Sequence, residues 1–167
     1  MSAGRRLPAT PTRDLDDPDE IAEMVRRFYQ DVAQDELLGP MFEEVAQVDW
    51  SEHLPKLTAF WCRALLGISG YQGNPYRAHL ETSEKEPFTA AHFERWLGLF
   101  HDTVETGWTG PRADQALDFA HRVAQVHANQ LVHEPDPADQ GGDPACWEGV
   151  VHDHRDEPTT MTLGPRA

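Results

Sequence analysis

Apolar residues recur at helical spacing through most of the chain. Ile21, Met24, Val25, Phe28 and Val32 fall three and four residues apart in a segment ending near Gln34, as one buried face of an amphipathic helix requires. Its start is marked by Asp17-Pro18-Asp19-Glu20: a capping side chain, a proline where a missing N–H costs nothing, and a capping-box glutamate. Gly39-Pro40 breaks the chain, and the short apolar piece Met41-Phe42 leads to a second helix from near Ser51 to Leu66. Its apolar positions are Leu54, Leu57, Phe60, Trp61, Ala64 and Leu65. Pro55 is expected in or near its first turn, because an interior proline removes a backbone bond. After the loop GISGYQGN, Asn74-Pro75 signals another start, yet the apolar pattern fades after Leu80. The pattern therefore predicts a stub of about one turn over 75–80, with His79 on it. Thr89 caps a third long helix carrying Phe93, Trp96, Leu97, Phe100 and Val104. Gly110-Pro111 opens a fourth, with Leu117, Ala120, Val123, Ala124, His127 and Leu131. No segment alternates as a strand does, so the expected fold is an all-α bundle of four long helices and one stub.

The ends read differently. Residues 1–16 are polar and Pro-rich and are expected to form a flexible N-terminal segment, with the ordered domain over 17–133. Residues 134–167 are rich in Pro, Gly and Asp and read as an acidic, mostly disordered tail. Within it, CWEGVVHDH could be a docking peptide, although the composition favours a disordered extension. No internal repeat is present. At 167 residues, with 39% hydrophobic and 26% charged residues, the chain fits one globular, soluble domain with a real core.

A net charge of −15 argues against a nucleic-acid partner, which needs clustered Lys and Arg, and against an anionic membrane surface. No run approaches the roughly 18 apolar residues of a membrane span, and the N-terminus lacks the apolar region of a secretory signal. Cys62 lies in an expected core helix and Cys146 in the tail, forming neither a CxxC pair nor a CxxCH haem-attachment motif. A cytoplasmic location follows as the expectation.

Nine histidines remain to be sorted. His133, His152 and His154 lie at or beyond the domain edge, His101 and His121 sit beside charged or polar neighbours, and His92 falls in a first helical turn. Solvated or capping imidazoles account for these six. His127, on the apolar side of the last helix, reads as a hydrogen-bonded core histidine. His53 stands one turn before Leu57 and faces the inner edge of its helix, and the loop before His79 lets the chain turn back, so both rings can face one cavity. The pattern leaves two readings open: two core histidines, or a ligand site. Zinc fits poorly, since three or four ligands are needed and no HExxH or clustered triad is present. A haem iron needs only one imidazole from the protein, and Phe28, Phe42, Leu57, Phe60, Phe93, Trp96 and Leu97 could supply apolar walls.

At RFYQDVAQDELLGPMF (27–42), DWSEHLPKLTAFWCRALLG (49–67), GYQGNPYRAHL (70–80) and FTAAHFERWLGLF (88–100) the chain resembles a group III truncated globin. The combination of FWxxxLLG with GNPxxxHL is specific, and the segments span much of the domain in order. The resemblance implies a two-over-two helical sandwich enclosing haem b, held non-covalently, with His79 as the proximal iron ligand on a reduced helix. It makes Tyr29, His53 and Trp96 the distal, ligand-stabilising set. It places Phe42 on the haem face and Leu57 on the distal side. The connection ETSEKEPFTAAHFE after His79 is longer than in the tightest versions of the fold. Phe60 is a further candidate wall residue, and Arg77 and Lys56 are candidate partners of the haem propionates. The implied function is binding of O2, nitric oxide or a similar gas, for redox chemistry of bound O2 rather than bulk transport, with an external reductase. The alternatives are a carrier or sensor without turnover, a helical interaction module without haem, and a non-haem metal protein using His53 and His79.

Overall fold

The computed structural model describes residues 9–132; the expectations for the tail over 134–167 and for His133, Cys146, His152 and His154 lie outside the described residues. Five α-helices follow one another: α1 (Pro18–Gln34), α2 (Trp50–Leu66), α3 (Pro75–Lys85), α4 (Ala90–Gly107) and α5 (Pro111–Leu131), with a π-helical turn, Met41–Val45, between α1 and α2. Among the described residues there is no strand. α1 packs against α2, α4 packs against α5, and the two pairs meet through α1–α4 and α2–α5 contacts. This is a two-over-two helical sandwich, and α3 lies outside it, touching α5 and the π-helical turn.

Local chemistry explains the boundaries. Asp17 caps α1 by accepting from the Asp19 N–H at 2.8 Å, and Asn74 caps α3 by accepting from the Arg77 N–H at 3.0 Å. α2 ends where Gly67 takes the left-handed conformation, with φ of 67°, which glycine adopts without a Cβ penalty. Thr89 and His92 form a reciprocal cap at the start of α4, so His92 is a capping residue. Two expectations about boundaries need correction. α3 is no one-turn stub; it runs 11 residues, because its continuation ETSEKEP is polar yet contains good helix formers. Pro55 lies within α2 as its sixth residue rather than in the first turn, at the cost of the bond that its N–H would give the Ser51 carbonyl.

The core joins all four long helices. Trp61 of α2 stacks on Phe100 of α4 at 4.8 Å between ring centroids, Phe28 of α1 meets Phe100 edge-on at 5.1 Å, and all three are essentially inaccessible. The chain before α1 belongs to this core. Leu15 is fully buried, and the Asp14 carboxylate accepts from the Arg112 and Ala113 N–H groups at 3.0 and 2.7 Å. It thereby caps α5, whose own N-cap, Gly110, has no side chain to do so. Gly110 is required here: φ is 128°, and a Cβ would sit 2.6 Å from Asp14 Oδ2. The expected flexible segment therefore stops short of residue 16, since Arg13 to Leu15 pack onto the α4–α5 corner.

Candidate functional site

Four aromatic or imidazole rings gather where α1, the π-helical turn and the start of α2 converge. Tyr29 lies 5.9 Å from Phe42, 5.9 Å from Trp50 and 6.1 Å from His53. Phe42 stacks on Trp50 at 5.6 Å, and Trp50 meets His53 at 5.9 Å. Trp50 and His53 are three residues apart at the head of α2, so one helical turn places both on the same side. Tyr29 is buried, which pushes the phenol pKa up, and the Trp96 side chain beside its hydroxyl partly offsets this. Trp96 reaches this region from α4, edge-on to Phe28 at 5.4 Å and stacked on Phe100 at 5.6 Å. Burial, and then the neighbouring Lys56 charge, lower the His53 pKa. Tyr29, Phe42, His53 and Trp96 are thus brought to one region from four separate elements.

α3 supplies the other wall. His79 Nδ1 bonds the Pro75 carbonyl one turn back at 2.5 Å. A carbonyl only accepts, so Nδ1 carries the proton and Nε2 keeps its lone pair. Among the described residues, Nε2 has no protein partner. His79 is half-buried. This enclosure, with the His127 and His53 charges opposing a second proton, pushes its pKa down to about 4, against the pull of the Pro75 carbonyl. At neutral pH the imidazole is therefore neutral, with its proton on Nδ1. Phe88 and His127 flank the ring at 5.9 and 4.7 Å.

The remaining predicted residues sit at the margins. Leu57 is half-buried against the core. Phe60 packs on Trp61, Tyr71 and Phe119 at 5.7, 5.4 and 5.7 Å, on the α2–α5 side. Arg77 points outward in an exposed ion pair with Glu81 at 3.3 Å. Lys56 is exposed on α2. His127 is a core histidine as expected: it is 6% exposed, and its Nδ1 bonds the Val123 carbonyl at 2.8 Å. Sequence reasoning passed over Trp50 and Phe88. The signal available for Trp50 was its position three residues before His53; Phe88 had only its place just before the α4 cap. A groove of about 600 Å³ lies elsewhere, beside Ala22, Leu54, Thr58 and Cys62, and contains none of the predicted site residues.

One imidazole with its tautomer fixed and Nε2 free, facing aromatic and apolar walls, suits an iron porphyrin better than a bare cation, which needs several ligands at once. A profile of bacterial-like globins matches residues 16–129. The chain belongs to the bacterial-like globin family. Within it, this globin is 32% identical over 116 residues to the group 3 truncated haemoglobin ctb of Campylobacter jejuni, an alignment covering 68% of this chain and 89% of that protein. The crystal structure of group III truncated haemoglobin from Campylobacter jejuni superposes with a TM-score of 0.64 at 29% identity, covering 79% of this globin and all of that chain. The chain is a group III truncated haemoglobin, and the family carries haem-based binding of small gases such as O2. None of this globin's described helices is long and apolar enough to cross a membrane.

Proposed function

We propose that this globin holds haem b non-covalently, with His79 as proximal ligand and Tyr29, Trp96 and His53 on the opposite face, and that it serves redox chemistry of O2, such as removal of nitric oxide or peroxide. The observation that carries the reading is His79: its Nδ1–H is tied to Pro75 O and its pKa is pushed down to about 4, so a lone pair is available at neutral pH. When bound, the haem supplies an iron that takes a diatomic gas. Phe42 and Leu57 would wall the macrocycle, Phe60 would support it, and Arg77 and Lys56 would be the candidate partners of the propionates.

The chain's own contribution on the gas side is hydrogen bonding. The raised pKa of Tyr29 keeps its O–H protonated and able to donate, and the Trp96 indole donates only. A hydrogen bond to a charged acceptor contributes about 1.5–3 kcal/mol, and about 1.4 kcal/mol is tenfold in an equilibrium. Two donors therefore favour slow release of O2, which suits reaction better than delivery. Turnover draws electrons from an external reductase, in a cytoplasmic setting. Purified protein is expected to show a Soret band that His79→Ala abolishes. Stopped-flow release of O2 should speed up about tenfold or more in Tyr29→Phe; fast release in the wild type, unchanged by that substitution, would overturn the reading. Consumption of nitric oxide or peroxide with a supplied reductant separates turnover from carriage or sensing.

A further inference from the structure

Two histidines outside the haem region meet across the α4–α5 interface. His101 Nε2 of α4 and His121 Nε2 of α5 are 2.8 Å apart, with ring centroids at 4.9 Å and planes nearly perpendicular. His101 Nδ1 faces Glu105 Oε1 at 3.4 Å, one turn on. The pair lies at the surface, with His121 exposed and His101 partly so. We propose that this pair is a binding site for a late first-row divalent cation, Cu2+ or Ni2+, bridging α4 and α5.

The geometry selects the cation. Two nitrogens in neighbouring positions of a tetragonal site, each about 2.0 Å from the metal, stand about 2.8 Å apart. A tetrahedral zinc at about 2.0–2.1 Å would need them about 3.3 Å apart. The observed separation matches the first, and binding turns the two Nε2 atoms from each other toward one ion. The ligand chemistry agrees, since imidazole suits copper and nickel. Glu105 is placed to hold the proton of His101 on Nδ1, leaving Nε2 as the donor atom, the arrangement by which carboxylates orient metal-bound histidines. In the metal-free protein one Nε2–H donates to the other Nε2. On binding, that proton moves to the Nδ1 of its own ring, which leaves both Nε2 atoms free to coordinate. The nearest cation in sequence, Arg122, is turned over the Phe119 ring at 5.7 Å and does not block approach. The net charge of −15 draws cations to the surface. Among the described residues no group of three or more His, Cys, Asp or Glu could hold a metal, so water completes the coordination.

The test uses the full-length, haem-loaded protein. Calorimetric titration with Ni2+ should show one ion per chain, weakened about tenfold or more by His121→Gln and by His101→Gln, with Glu105→Gln weakening it less than either. Cu2+ should give an electron paramagnetic resonance signal coupled to two nitrogens, one of which is lost in each histidine variant. The melting temperature should rise with Ni2+ in the wild type and stay fixed in His121→Gln, because the cation links two helices only when they are folded. The Soret band, read on the same samples, reports the haem site independently and should not change. Equal Ni2+ affinity in wild type and both variants, or no binding below millimolar Ni2+, would show that the pair only hydrogen-bonds and overturn the proposal. Loss of the ion in His79→Ala with retention in His121→Gln would place it in the haem region, also overturning it.

Discussion

α1 and α3 begin alike and are held differently. Each opens with a polar cap followed by proline, Asp17-Pro18 and Asn74-Pro75, and each cap bonds a backbone N–H. α1 then buries Ile21, Met24, Val25, Phe28, Tyr29 and Val32, whereas α3 has no fully buried residue along its 11. α3 is sustained by its cap, by the Arg77–Glu81 pair, by Thr82 bonding the Ala78 carbonyl, and at its end by Lys85 Nζ donating to the Val45 carbonyl at 3.4 Å. Start signals thus fix where a helix begins, while burial decides how firmly it stays. A helix with no fully buried residue of its own can carry a ligand-binding side chain without anchoring the fold, and the proposed haem would add an apolar neighbour to α3.

Substitutions should separate these two roles. The largest loss is expected from Trp61→Ala in the core that α1 shares, about 3–5 kcal/mol of unfolding free energy by denaturant titration. Asp14→Ala should cost about 1–2 kcal/mol, since two backbone N–H groups of α5 lose their acceptor. Acidification of the haem-free chain should act with a defined sign. His79 takes up a proton near pH 6.5 when unfolded but only near 4 when folded. The unfolded state therefore binds more protons between those values, and stability is full above pH 6.5 and falls as the pH drops towards 4. Lowered His53 and His127 pKa values act in the same direction. Denaturant titrations at pH 7 and 4.5 should differ less in His79→Asn than in the wild type. The smallest global effect is expected from Asn74→Ala. It should accelerate amide exchange within α3 and leave the melting temperature nearly unchanged; a full loss of about 1 kcal/mol in global stability would mean that α3 unfolds with the core.

The order and starts of the helices were readable because they depend on local chemistry: caps, prolines and apolar residues at helical spacing. The same logic failed where the decisive partner was remote. The docking of Arg13 to Leu15 depends on Arg112 and Ala113, some hundred residues away, and a polar, Pro-rich stretch carries no mark of it. The end of α3 was misplaced because fading hydrophobicity was read as the end of a helix, whereas an exposed helix needs no apolar residues. In the site, Tyr29, Phe42, His53 and Trp96 lie in one region although they come from separate segments. Trp50 and Phe88 were missed because an aromatic at a helix edge looks the same whether it meets solvent or another ring. The meeting of His101 and His121 was invisible for a related reason: each reads as a solvated imidazole until the packing of α4 on α5 is known.

The Asp14 clasp also has a bearing on how the protein is made. The carboxylate and the amides it holds are 98 and 99 positions apart, so during synthesis the segment around Asp14 cannot settle until the start of α5 has emerged. Until then the nascent chain travels with an open seam that the first turn of α5 closes.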